Sequence, residues 1–249
     1  MLTQSMFDQL SQLRLPGFRA ALEEQLHNPH YADLPFEERL AFLIDRECTR
    51  RHNSRLQRNL KAARFGLPAT IEDLDFSAAR GMQRQLVLEL AQGEWIYRHL
   101  NTIILGPTGV GKTFLTCALG HAACRLDFSV RYHRSSRLLH DFTISHVDGS
   151  YPKLLHSLAR VQLLLLDDWL RDPLTINQTH DLLEVLDDRH ARCSTLVATQ
   201  IPVEDWHSRF PDPTLADAIL DRLVHNAYRI QLKGESQRKL RSPLTMVTT

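Results

Sequence analysis

The sequence predicts an α/β core built on a parallel sheet, preceded by a small all-helical module. Three observations carry that prediction. From about residue 100 onward, five short apolar runs alternate with helical stretches. The first of these runs opens directly into a glycine-rich turn, and an amphipathic stretch follows the turn. Residues 1 to about 75 show helical spacing and no strand pattern. We therefore divide the chain into a helical module, 1–75, and an α/β domain, 76–249.

The elements follow in order. Leu10, Leu13, Phe18, Ala21 and Leu22 recur at helical spacing, with a break at Pro16-Gly17. Pro35 followed by Phe36, Glu37 and Glu38 starts a second helix, because proline and acids suit a first helical turn. That helix runs on through a strongly basic stretch: Arg46, Arg50, Arg51, Arg55, Arg58, Lys61 and Arg64, with Glu47 as its one acid. Strands are expected at Thr102–Leu105, Phe128–Tyr132, Val161–Leu166, Thr195–Thr199 and Tyr228–Leu232. Phe114, Leu115, Ala118, Leu119, Ala122, Ala123 and Leu126 form an apolar stripe on the helix after the glycine-rich turn. The run Leu163 to Leu166 is apolar throughout, as in a central strand buried on both faces.

Composition excludes several classes. With 30 Lys+Arg against 29 Asp+Glu the net charge is +1, so any nucleic-acid contact must come from local clusters. No apolar run approaches the ~18 residues of a membrane span, and no secretion signal is evident, so a cytoplasmic location is expected. The four cysteines form no CxxC pair and read as free thiols; the 13 histidines form no metal-binding array.

The sharpest chemical signal is Gly106-Pro107-Thr108-Gly109-Val110-Gly111-Lys112-Thr113, which satisfies GxxxxGK[ST] in full. Glycines let backbone N–H groups turn inward onto phosphates, and the next helix offers its positive end to the same anion. Lys112 would face the β- and γ-phosphates, and Thr113 would ligate Mg²⁺. Asp167 and Asp168 end a buried strand, where carboxylates need a cation or water to receive them. Asp167 is the candidate second metal residue, and Asp168 the group that orients or deprotonates water. Thr199 or Gln200, at the end of the next strand, is placed to hold that water. Arg222, within LADAILDRLVHN, reads by itself as a surface ion pair. The cluster Arg50, Arg51, Arg55, Arg58 and Lys61, and the tail Lys233, Arg238, Lys239 and Arg241, are open to a phosphate backbone, to an acidic partner or to solvent.

Together LPFEERLAFLIDRE, GPTGVGKTFL, LLLLDDW, ATQIPVEDWH, DPTLADAILDRLVHNAYRI and LKGESQRK resemble the IstB family. These are ATP-binding helpers of insertion-sequence transposition, related to the helicase loader DnaC within the AAA+ ATPases. The resemblance implies an AAA+ core of five parallel strands behind a helical module. It implies ATP and Mg²⁺ as cofactors, Arg222 as a finger reaching a neighbouring subunit's site, Gln200 as sensor, and Arg238 near the nucleotide. Asp168 stands where AAA+ proteins usually carry Glu. The resemblance further implies homo-oligomeric assembly, as a ring or helix, on duplex DNA, and delivery of that DNA to a transposase. The N-terminal helices would contact the next protomer, the transposase or DNA. The alternatives are a DnaC-type loader acting on a replicative helicase and single-stranded DNA, a small-molecule kinase, and a non-hydrolysing DNA scaffold.

Overall fold

The computed structural model describes residues 2–77 and 81–237, with side chains from Gln4 onward. The chain divides into two compact units, Met1–Arg58 and Asn59–Thr249.

The first unit holds α1 (Leu2–Gln12), α2 (Pro16–His27) and most of α3 (Phe36–Ala63). Pro16 opens α2 at a position whose N–H needs no partner. Leu13, which the spacing placed on an apolar stripe, lies past the end of α1 and is 66% exposed. The small core uses Ala21 and Leu43, together with two buried polar groups. Gln25 donates to the Arg39 carbonyl (3.0 Å). Glu47 accepts from the backbone N–H groups of Gly17 (2.7 Å) and Phe18 (3.1 Å), so a carboxylate of α3 caps α2 where no local side chain does.

The second unit is a five-stranded parallel sheet: β1 (Asn101–Leu105), β2 (Val130–Arg134), β3 (Leu163–Asp167), β4 (Ser194–Thr199) and β5 (Ala227–Gln231), in the order β2-β3-β4-β1-β5. Residues Leu163 to Leu166 are all buried, as the unbroken apolar run required. Around the sheet lie α4 (Arg84–Ala91), α5 (Glu94–Tyr97), α6 (Lys112–Arg125), α7 (Ser135–Asp148), α8 (Tyr151–Ala159), α9 (Ile176–Arg189) and α10 (Pro213–Val224). Leu126, expected on the stripe of α6, caps that helix and is 41% exposed.

The strand most displaced from its expected place is β2, while β3 starts two residues later than expected, at Leu163, and β5 one residue earlier, at Ala227. The apolar run put β2 at Phe128–Tyr132, but the ladder with β3 starts at Val130 and pairs Arg134 with Asp167. Phe128 is buried before the strand, its N–H bonded to the Ala123 carbonyl at the end of α6. Polar His133 and Arg134 thus belong to the strand, which composition alone disguised.

Arg189 is 1% exposed, at the end of α9. Its guanidinium donates to the carbonyls of Leu158 (2.6 Å), Val161 (2.7 Å) and Ser194, and to Thr195 Oγ1 (3.1 Å). These ties join α8, α9 and β4. Burial pushes its pKa down to about 10.

Candidate nucleotide site

Parallel strands present their carboxyl ends on one edge, where ligands of open α/β sheets bind. β1 leads there into residues 106–111, with Gly109 at φ 83° and Gly111 at φ 108°, a region that costs other residues strain. Gly111 caps α6 with no side-chain acceptor, which leaves the first N–H groups of the helix to an anion. Lys112, 8% exposed, donates to the carbonyls of Gly106 (2.8 Å) and Pro107 (2.9 Å) and so braces the loop.

Asp167 and Thr113, 54 residues apart, meet at 2.7 Å between Thr113 Oγ1 and Asp167 Oδ2. The Tyr132 hydroxyl donates to the same Oδ2 at 2.9 Å, and Ser135 Oγ holds the Asp167 carbonyl at 3.0 Å. Burial first, and then the Asp167 charge, push the Tyr132 phenol far above its usual range, so it stays a neutral donor. Asp167 is 1% exposed, and its Oδ1 is buried with no protein partner. An unmatched carboxylate oxygen beside a threonine hydroxyl is an all-oxygen donor set of the kind Mg²⁺ takes.

Asp168 follows at φ 55°, half-buried. The backbone beyond it is pinned to β4: the Trp169 N–H donates to the Ala198 carbonyl (2.9 Å), and Thr199 Oγ1 donates to the Trp169 carbonyl (2.7 Å). Thr199 also accepts from the Ile201 N–H (3.0 Å) and is fully buried, so its hydroxyl is committed to the fold. Gln200 is exposed, and its Oε1 accepts from Thr108 Oγ1 of the loop. Of the two sequence candidates, Gln200 faces the loop and Thr199 does not.

A cavity of about 540 Å³ is lined by Thr108, Gly109, Gly111, Lys112, Thr113, Asp168 and Gln200, and also by Arg134, Arg171 and Gln237. Arg134, Tyr132 and Gln237 escaped the sequence reading. The signal for the first two was the β2 register, which brings Arg134 level with Asp167. The chain after β5 returns to the loop: the Leu232 N–H donates to the Leu105 carbonyl (2.7 Å), and the Gln237 N–H to the Gly109 carbonyl (2.9 Å). A Cβ on Gly109 would stand 2.2 Å from Ser236 Oγ. Arg238 lies outside the described residues.

Arg222 lies elsewhere. Its carbonyl accepts from Asn101 Nδ2 (2.8 Å), at the opposite end of β1 from the loop. At ~3.3 Å per residue, the strand separates the two ends by ~13 Å. The Arg222 Nε is ion-paired with Asp187 Oδ1, and its Nη1 donates to the Ala218 carbonyl (2.7 Å). In the basic stretch, Arg50, Arg51, Arg55, Arg58 and Lys61 are all exposed on α3, and Arg51 is tied to Glu47 (2.7 Å). The four cysteines are free. Among the described residues, no helix is long and apolar enough to cross a membrane.

A phosphate loop after the first strand of a 2-3-4-1-5 parallel sheet, with an acidic pair ending the third strand, defines a P-loop nucleoside triphosphatase fold of the AAA+ type. Solved structures share it. The crystal structure of DnaI matches with a TM-score of 0.59 at 18% identity, covering 68% of this chain and 96% of that one. The DnaC helicase loader matches with a TM-score of 0.51 at 17% identity, covering 71% of this chain and 99% of that one. The family model described as IstB-like ATP binding protein matches residues 8–244, and the chain belongs to that family. An insertion sequence ATP-binding protein of Sinorhizobium fredii, y4pL, is 45% identical over 239 residues, 96% of this chain and 98% of its own length. The ATP-binding protein of insertion sequence IS1162 from Pseudomonas fluorescens is 47% identical over 203 residues, 81% of this chain and 88% of its own.

Proposed function

We propose that this chain is an ATP-hydrolysing helper of insertion-sequence transposition, located in the cytoplasm. It would assemble on duplex DNA, select or deform that DNA and recruit the transposase of its own element. What supports the chemistry most is that Lys112, Thr113, Asp168 and Gln200 line one cavity while Arg222 stands at the far end of β1. That distance from its own loop supports a role for the arginine toward a second copy.

The loop N–H groups and Lys112 bind the triphosphate. Thr113 and Asp167 would hold Mg²⁺, which supplies charge neutralisation on phosphate oxygens when bound. Asp168 accepts the proton of the attacking water, and Gln200 positions that water. Arg222 of the next copy stabilises the developing negative charge and makes assembly depend on nucleotide. With a net charge of +1, duplex affinity comes from local basic clusters repeated once per protomer. The helical module meets the next protomer, the transposase or DNA.

Sedimentation with ATP, Mg²⁺ and duplex DNA, alongside phosphate release, tests this reading. Nucleotide-dependent assembly on the duplex is expected, and Lys112→Ala should abolish both nucleotide retention and assembly. Wild-type protein that stays monomeric and retains no adenine nucleotide would overturn it. Pull-down by the adjacent-gene transposase, and not by a replicative helicase, is expected for the partner.

A further inference from the structure

Within the first unit, α2 and α3 enclose an open groove of about 710 Å³. One wall is a single face of α3: Arg46, Arg50 and Arg58, with the hydroxyls and amides of Thr49, Asn53 and Gln57 between them. Ser54 completes this wall, and spacings of three and four residues keep all seven on one side of the helix. The other wall is the start of α2, with Pro16, Gly17 and Ala20.

No acid and no aromatic lines the groove. The fold produces that condition. Glu47, the one acid of the stretch, is turned inward onto the N–H groups of Gly17 and Phe18. Gly17 permits this approach, since a Cβ there would stand 2.8 Å from Glu47 Oε2 and 3.0 Å from Arg50 Cδ. Arg51 is drawn away with it, to Glu47 Oε1 (2.7 Å) and the Arg14 carbonyl (3.3 Å). At the outer end, Arg46 lies 3.5 Å from Glu24, both side chains about half exposed.

We propose that this groove seats the phosphate backbone of duplex DNA, with Arg50 and Arg58 as its central contacts. The inference rests on the DNA-binding reading above and names the surface responsible. From Arg46 to Arg58 the helix face runs ~18 Å. One strand of duplex DNA carries about five phosphates over that length of its axis. Arginine, hydroxyl and amide side chains are the groups that contact phosphate and sugar without reading sequence. The missing aromatics leave nothing to stack on the bases of a single strand. An acidic protein would need a buried apolar anchor at the centre of the contact, and the polar wall of α3 offers none.

The test is anisotropy of a labelled duplex of mixed sequence with the full chain and ATP, across a salt series. Replacing Arg50→Ala and Arg58→Ala together should weaken binding tenfold or more and flatten the log–log salt slope by ~2. Ser54→Glu, which puts an acid on the same exposed face, should weaken it comparably without removing an arginine. Lys153→Ala with Arg160→Ala, an equal loss of charge on exposed residues of the second unit, should stay within twofold. Circular dichroism checks that each variant folds. Wild-type binding to duplex that both groove variants leave within twofold would overturn the groove assignment alone. Equal losses in the Lys153/Arg160 variant would overturn it too, as would tighter binding of a single strand that needs the same arginines. Wild-type protein that binds no duplex at low salt would overturn the DNA-binding reading with it.

Discussion

Arg222 closes an ion pair with Asp187 on the edge of the sheet opposite the phosphate loop, through Nε and Oδ1. The side chain proposed to serve a neighbour's nucleotide is held on its own protomer by α9. To act in trans it must exchange this carboxylate for a phosphate. The Arg222 and Asp187 side chains are 28% and 46% exposed, and an ion pair of that kind contributes ~0–1 kcal/mol. Asp187→Asn should therefore lower the protein concentration for half-maximal ATPase activity by up to ~5-fold. A titration of activity against protein concentration checks this; an upward shift would mean that Asp187 presents the arginine rather than restrains it.

The buried pair at the loop makes a different prediction. Tyr132→Phe removes one of the two donors to Asp167 Oδ2, leaving only Thr113 there. The Mg²⁺ concentration for half-maximal activity should rise ~10-fold, as for other residues that orient a metal ligand. Asp168→Asn should leave ATP affinity within about threefold and cut phosphate release by ~100-fold or more. Mg²⁺ titrations and single-turnover assays separate the two effects.

Arg189 is a stability prediction. Arg189→Ala removes four hydrogen bonds from the interior and should cost at least ~3 kcal/mol, read as a lower urea midpoint. Arg189→Lys should rescue little, since an ammonium has three N–H groups and no planar fork.

Glu47 gives the pH dependence. Burial alone would raise its carboxyl pKa, but hydrogen bonds from Arg51, Phe18 and Gly17 outweigh it, and the net shift is downward from 4.5. A depressed carboxyl stabilises the folded state fully above the unfolded value, and that contribution is lost as pH falls through the folded one. Glu47→Gln should therefore cost ~1–2 kcal/mol at neutral pH, and the difference from wild type should shrink in acid below pH ~4. Thermal melts across pH check the sign.

The sequence made the chemistry of the loop plain because its glycines, Lys112 and Thr113 act through a contiguous segment. Asp167 was legible as well, since a buried apolar strand that ends in two acids must deliver them to a cation or to water. Less visible was anything decided by pairing between distant segments. The β2 register brought Tyr132 and Arg134 to Asp167, and no local pattern marks that. Glu47 looked like one acid in a basic helix, and only the approach of α2 shows it to be a cap. Arg189 looked like an ordinary basic residue at a helix end, and the carbonyls that hold it come from two separate parts of the chain, residues 158–161 and Ser194. Thr199 and Gln200 were equivalent by position; the burial of one hydroxyl separates them.

Sharing of one nucleotide between two copies is tested most directly by mixing two inactive proteins. Lys112→Ala lacks the loop lysine and keeps Arg222; Arg222→Ala is the reverse. In a random 1:1 mixture, roughly one head-to-tail interface in four joins an intact loop to an intact arginine. Lys112→Ala does not assemble by itself, so the expected result is ATPase activity that returns on mixing, to no more than about a quarter of the wild-type rate per site. A mixture as inactive as its components, with both proteins folded and co-assembled, would contradict the shared site.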